Sequence, residues 1–339
     1  MNVAVQEARK PLSWKKKFVF ACVMAVGLPI LLELASRVLF GWNRHWLDCH
    51  RPHASLGWCL REGWSGKWSW TGGYSHINAQ GIRDDEDIGP KASHEKRLLI
   101  VGDSVTFGAN VKTNETYPKQ IQQSLPSHQR HWRILNGGVT AYDSSQEAEW
   151  LEEFGWPLQP DALFVAFCRN DTCASPRKAS PVNSKVSQWL SEHSLLYFKL
   201  ERIYGRARAA WNGPAGEITS LVDPKASMEG WPMVEQAYRQ IAASAKAKGV
   251  PVAILIWPTM DYLSGKQPDD LTSKLNGLAA ELGWQVIDLE PAFKPCDAKM
   301  FLAGDPVHPS AYGFAKATEH IMHELPRIQW LQGTEISRR

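Results

Sequence analysis

The sequence predicts an α/β fold: a three-layer α/β/α sandwich on a five-stranded parallel sheet, preceded by one N-terminal transmembrane helix. Three observations carry that reading. From residue 97 onward, short apolar runs alternate with helical periodicity, the pattern of parallel strands joined by crossover helices. Near the amino terminus, Lys15-Lys16-Lys17 precedes a long apolar stretch. Finally, the apolar run Leu98-Leu99-Ile100-Val101 ends in Gly102-Asp103-Ser104. That places a hydroxyl at the carboxyl end of a strand, where open α/β folds put their ligands.

In chain order, residues 1–17 read as a cytoplasmic tail and 18–40 as the membrane anchor. Phe18 to Leu32 are fifteen uncharged residues, and continuing to Phe40 gives twenty-three, interrupted by Glu33 and Arg37. Those two lie four apart, share a helix face and can pair; Arg37 can also snorkel to the interface. No clean small-x-small cleavage site follows, which favours an uncleaved anchor over a cleaved signal peptide. The lysine triplet keeps the amino terminus inside. The expectation is a single-pass protein of the cell inner membrane with its folded part on the periplasmic side.

Residues 41–90 form a tryptophan-rich lead-in. Trp42, Trp46, Trp58, Trp64, Trp68 and Trp70 are six of the sixteen tryptophans, and 64–70 alternates like a strand or hairpin. Three readings compete: interfacial anchoring by Trp42 and Trp46, packing of a small β-element on the main domain, and stacking on sugar rings. His45, Asp48, Cys49, His50, His53 and Cys59 also fall here, but their spacing matches no standard zinc pattern. No metal and no cofactor are called for.

The main domain is expected over 91–330. Strands are expected at Arg97–Val101, Trp132–Leu135, Ala162–Phe167, Val252–Trp257 and Gln285–Leu289. Helices are expected at Tyr117–Leu125, Ser145–Phe154, Met233–Lys248 and Leu271–Leu282, with a last one from Ala311. Right-handed crossovers put helices on both faces, a flavodoxin-like arrangement. Residues 172–230 break the repeat as an insert. Val186–Trp211 within it reads as a helix with apolar Leu195, Leu196, Phe198 and Leu200 and basic Lys199, Arg202, Arg206 and Arg208. Either it roofs the cleft, or it presents a solvated basic face or one that contacts membrane or substrate.

With 339 residues, 44% of them hydrophobic, the chain is neither disordered nor too short for a large core. A net charge of +3 gives no argument for nucleic acid, and no nucleic-acid motif occurs. Among six cysteines, Cys49 with Cys59 is the favoured local bridge in an oxidising compartment. Cys173 with Cys296 and Cys168 with Cys173 compete.

Four short blocks stand at strand ends: Gly102-Asp103-Ser104, Asn136-Gly137-Gly138-Val139, Asn170-Asp171, and Asp305-Pro306-Val307-His308. In this order they resemble the SGNH (GDSL-type) hydrolase superfamily, over about residues 76–325. No Gly-x-Ser-x-Gly elbow occurs. The resemblance implies Ser104 as nucleophile, Gly138 and Asn170 as oxyanion-hole donors beside the Ser104 N–H, and Asp305 with His308 as orienting group and base. Two departures stand out: Cys168 where the third block usually has glycine, and Ala141 where a further glycine is common in the second. Asn78-Ala79-Gln80-Gly81-Ile82-Arg83 resembles a lead-in of membrane-linked bacterial members. Its arginine is expected to pair with a carboxylate.

The chemistry follows from the residue types. A serine hydroxyl needs a base within hydrogen-bond reach. Asp305 and His308, three apart on one Pro-flanked loop, let the carboxylate hold Nδ1 while Nε2 faces the serine. Asp103 and Asp171 are expected to hold loops in shape. The expected activity is carboxylic ester hydrolysis or O-acyl transfer, on acylated (acetylated) carbohydrate of an envelope or exported polysaccharide. A lipid ester at the membrane surface and a non-catalytic carbohydrate-binding or assembly role are the alternatives.

Overall fold

The computed structural model describes residues 13–40, 49–67, 74–173, 190, 193–197, 200, 228–266 and 270–328. The chain divides into two compact units, residues 1–44 with 182–207, and residues 45–181 with 208–339.

In the first unit, α1 (Trp14–Phe40) is one continuous helix with Pro29 inside it. It starts four residues before the expected span and carries the lysine triplet in its first turn. Trp14–Leu39 is long and apolar enough to cross a membrane, a property that signal sequences share. Its apolar side chains, Phe18, Phe20, Leu31 and Val38 among them, are exposed.

The second unit begins with two antiparallel hairpins, β1 (His50–His53) with β2 (Gly57–Leu60) and β3 (Ser65–Lys67) with β4 (Tyr74–His76). A five-stranded sheet follows, built from β5 (Lys96–Gly102), β6 (Trp132–Gly138), β7 (Ala162–Phe167), β8 (Val252–Ile256) and β9 (Gln285–Asp288). The order is β6-β5-β7-β8-β9, with every pairing parallel. The helices are α2 (Ser104–Phe107), α3 (Tyr117–Ser124), α4 (Ser144–Trp150), α5 (Trp231–Lys248), α6 (Met260–Leu263), α7 (Asp270–Leu282) and α8 (Ala311–Glu324).

Strand alternation feeds two cores. Leu99, Val101, Leu135, Leu163 and Val165 face one side, with Trp150 of α4, Val234 and Ile241 of α5 and Leu275 of α7. Leu98, Ile100, Phe164, Ala166 and Leu255 face the other, with Ile121 of α3 and Phe314 and Ile321 of α8. A sheet covered on both faces is why these strands read as continuous apolar runs rather than alternating ones. Each fully buried side chain of this size contributes about 1.5–3 kcal/mol.

The helix expected over Ser145–Phe154 is α-helical only to Trp150 and continues as a π-type turn over Leu151–Gly155. At its start, Asp143 and Gln146 form a reciprocal capping box, each side chain accepting the other's backbone N–H.

The lead-in joins the first core through Leu56, Leu60, Trp64, Ile77 and Ile82. Trp64 is therefore a packing residue, and half-buried Trp58 packs against the same core. Trp42, Trp46, Trp68 and Trp70 lie outside the described residues, as does most of the helix expected at Val186–Trp211. The insert leaves and returns at one point: a Cβ on Gly230 would sit 1.7 Å from the Thr172 carbonyl oxygen, so only glycine fits there.

No disulfide joins any of the six cysteines. The expected Cys49–Cys59 bridge is absent because Arg51, not Cys49, is the cross-strand partner of Cys59. Burial pushes the Cys59 thiol up to about 12, which leaves it a neutral packing group.

Candidate active site

The sheet changes direction of growth between β5 and β7: β6 adds on one side of β5, while β7, β8 and β9 add on the other. Loops diverge at such a switch point and leave a crevice at the carboxyl ends of the strands. Ser104 follows β5, Asn170 follows β7, and Gly138 ends β6.

Ser104 opens α2. Asp103 caps that helix, its Oδ1 accepting from the Val105 N–H at 2.8 Å. The α2 turn is held at its other end by Arg83, which is buried. Its Nη1 donates to the carbonyls of Phe107 and Gly108 and its Nη2 to that of Val111, at 2.9, 2.5 and 2.6 Å. Burial lowers the Arg83 pKa to about 10, so it stays charged at neutral pH. The carboxylate expected as its partner is replaced by three carbonyls at the C-terminal end of the serine turn, where a cation is favoured.

Across the crevice, the Ser104 hydroxyl meets His308 Nε2 at 2.8 Å. His308 Nδ1 lies 2.6 Å from Asp305 Oδ2. The other carboxylate oxygen accepts from the backbone N–H of Val307 and of His308, at 2.9 and 3.0 Å. Nδ1 therefore carries the proton toward Asp305, and Nε2 is left as an acceptor for the serine. Burial by itself raises an aspartate, but the His308 contact and the two N–H donors outweigh it and hold Asp305 below its usual range. Burial by itself lowers a histidine; the Asp305 hydrogen bond and charge, with Asp103 behind, outweigh it and raise His308.

Asn170 donates through Nδ2 to Asp103 Oδ2 at 2.7 Å. The same oxygen lies 3.2 Å from the Ser104 hydroxyl. Asp103 thus ties together the serine, its helix and the asparagine, which is more than the loop-shaping role expected of it. The amide nitrogen has a second hydrogen, which Asp103 does not use.

Gly138 departs from its expected role. Its N–H donates to Asn136 Oδ1 at 3.0 Å, so it is spent inside the chain. What the glycine supplies is room: a Cβ there would lie 2.2 Å from the Phe107 nitrogen and 2.6 Å from the Thr106 carbonyl carbon. These are backbone atoms of α2 that cannot step aside. Ala141 keeps the left-handed backbone, at φ 60°, that the more common glycine would adopt there.

The lead-in braces this same loop. Trp58 Nε1 donates to the Thr140 carbonyl at 3.1 Å, the Tyr142 hydroxyl donates to the Trp58 carbonyl, and His50 Nε2 lies 2.7 Å from the Thr140 hydroxyl. His53 Nε2 lies 3.0 Å from Glu153 Oε1.

Behind the crevice sit four buried acids, Asp103, Asp143, Glu147 and Asp171. Asp171 accepts from the Cys168 N–H at 2.8 Å, which shapes the turn that presents Asn170. Burial first, then the charges of Asp103 and Asp143, push Glu147 well above the usual carboxylate range. Burial and Glu147 do the same to Asp171. Nothing in the spacing of these residues along the chain foretold that they share one pocket.

A hydrogen-bonded serine, histidine and aspartate beside the switch point of a parallel α/β sheet is an arrangement used by one class of enzymes, the acyl hydrolases. Within that class, the chain belongs to the GDSL-like lipase/acylhydrolase family, whose model matches residues 100–316. A comparison with curated proteins returns no match. Similar solved structures include a lipase/acylhydrolase from Enterococcus faecalis, at 14% identity over 69% of this chain and 96% of that one, with a TM-score of 0.41. The psychrotrophic esterase EstA from Pseudoalteromonas sp. shares 12% identity over 70% of this chain and 99% of its own, with a TM-score of 0.43. The acetylxylan esterase Axe2 from Geobacillus stearothermophilus shares 17% identity over 69% and 96%, with a TM-score of 0.42.

Proposed function

We propose that the chain is a membrane-tethered serine esterase or O-acyltransferase with Ser104 as nucleophile, His308 as general base and acid, and Asp305 as the group that orients the imidazole. The observation that carries this reading is the unbroken series Ser104–His308–Asp305, at 2.8 and 2.6 Å. Ser104 Oγ attacks the ester carbonyl carbon and its proton passes to His308 Nε2. The carbonyl oxygen becomes an oxyanion. Two donors are available to it: the Ser104 N–H, which at the first helical position has no intrahelical acceptor, and the second amide hydrogen of Asn170. Each is worth about 3–4 kcal/mol at the transition state. The intermediate then collapses, the C–O bond to the alcohol breaks, and His308 returns the proton to that leaving oxygen. Water, or a sugar hydroxyl, attacks the acyl-serine by the same route in reverse.

For the substrate, the reading is an O-acyl, foremost O-acetyl, ester on an envelope or exported polysaccharide. It is supported by the apolar helix α1, which would hold the chain at an inner membrane with residues 41–339 on the periplasmic side, and by a tryptophan-rich lead-in. Buried Trp64 contributes nothing to sugar contact. The test is incubation of the full chain in detergent with an acetylated polysaccharide and with a phospholipid, with and without a sugar acceptor. The expected result is free or transferred acetate from the polysaccharide. Release of fatty acid from the phospholipid, with no acetate, contradicts the substrate and makes the chain a lipid esterase.

A further inference from the structure

An ionised side chain in a membrane-spanning helix is expensive, so Glu33 and Arg37 of α1 require partners. Their mutual ion pair, 2.6 Å between Arg37 Nε and Glu33 Oε1, is only part of the answer. The Glu33 carboxylate also takes three donors from the insert: the Ser194 hydroxyl at 2.8 Å, the Leu195 N–H at 3.0 Å and the Leu196 N–H at 2.9 Å. Arg37 Nη2 donates to the His193 carbonyl at 3.0 Å. Acid and base thus grip the two sides of one junction. The base takes a carbonyl on the side that precedes Ser194, and the acid takes the N–H groups that follow it. Ser194 seals the junction by accepting the Tyr197 N–H at 3.0 Å.

We infer that this junction is a second membrane-contacting element, seated on anionic lipid at the bilayer interface and locked to the anchor by Glu33 and Arg37. The inference rests on reading α1 as a membrane span. Its depth follows from helix geometry: a hydrocarbon core of about 30 Å takes about 20 residues. Counted from Phe18, twenty residues end at Arg37, which places the junction where hydrocarbon gives way to headgroups. The side chains suit that level. Leu195 is buried, while Leu200 is exposed, as are Leu34, Val38 and Leu39 on α1. The sequence that continues carries Lys199, Arg202, Arg206 and Arg208, charges that anionic headgroups attract.

The test uses the full chain in vesicles of phosphatidylglycerol and phosphatidylethanolamine, with a photo-crosslinking benzophenone amino acid in place of Leu200. The expected result is lipid crosslinked to the chain. Glu33→Leu keeps the helix apolar and inserted but removes the grip, and should cut the crosslink yield at least five-fold. Small-ester turnover, which reports the fold of the other unit, should be unchanged. A chain retained after alkaline carbonate extraction but not crosslinked overturns the inference alone, as does a Glu33→Leu yield equal to the parent's. Extraction of the parent chain by carbonate overturns the membrane span and this inference with it.

Discussion

His308 carries two opposed demands. In its proposed role as general base it must be neutral; as the partner of Asp305 it is held more firmly when charged. Its raised pKa comes from the Asp305 contact overcoming burial, so the acid limb of kcat/KM should centre above the ordinary histidine value of about 6.5. Stability runs the other way. A raised histidine stabilises fully below about 6.5 and loses that contribution as pH rises through its folded pKa. The depressed Asp305 stabilises above about 4 and loses its contribution as pH falls through its own folded pKa. The pair therefore steadies the fold most between about pH 4 and 6.5 and works best above that window. Asp305→Asn should move the acid limb down and lower kcat on the order of 10⁴-fold. An unmoved limb would show that Asp305 does not act on His308. Asn170→Ala should lower kcat about 10²–10³-fold with KM steady; a raised KM with kcat intact would make it a binding residue. Ser104 and Asn170 were legible in the sequence because each sits in a short block that follows a strand. Asp305 and His308 were legible from their three-residue spacing, although their block lies in the loop before α8 and not at a strand end as expected. The fate of the Gly138 N–H was not. It depends on the Asn136 side chain folding back, a contact without a signature in residue order.

At the level of elements, the second and first blocks are locked by contact rather than by chemistry. Gly138 lets the end of β6 press on the backbone of α2. Gly138→Ala should cost about 3 kcal/mol or more by overpacking, measured by urea unfolding. Ala141→Gly should stay within about 1 kcal/mol of the parent. Relief of left-handed strain, roughly 1–2 kcal/mol, is offset by added freedom of the unfolded chain, about 0.4–1 kcal/mol. Equal stability of Gly138→Ala and the parent would refute the close approach. The five strands were legible because buried parallel strands are apolar throughout and bounded by turns. The π-type turn after Trp150 was not, since apolar periodicity does not record a one-residue slip in hydrogen bonding. The lead-in motif singles out Arg83, but only the folded chain brings the α2 carbonyls to it.

At the scale of the whole molecule, four buried acids lie behind the crevice. Burial, and then the charges of Asp103 and Asp143, raise Glu147 well above the usual carboxylate range. An acid whose folded pKa is raised loses stability as pH rises from its unfolded value, near 4.3, toward its folded one. Thermal unfolding of the parent should therefore weaken from pH 5 to pH 8, and Glu147→Gln should flatten that decline. A Glu147→Gln variant with the parent's pH slope would mean that the carboxyl is ionised in place. This cluster was invisible in the sequence because its members come from three separate loops and one helix. The Ser104–His308–Asp305 assignment is tested most directly by a fluorophosphonate probe on the full chain, with the modified residue located by peptide mass. The predicted result is a single phosphonate on Ser104, absent from a folded Ser104→Ala variant whose ester turnover falls by three to six orders of magnitude, on the order seen when triad members are removed. Labelling at another residue, or a Ser104→Ala variant that keeps most of its turnover, would contradict it.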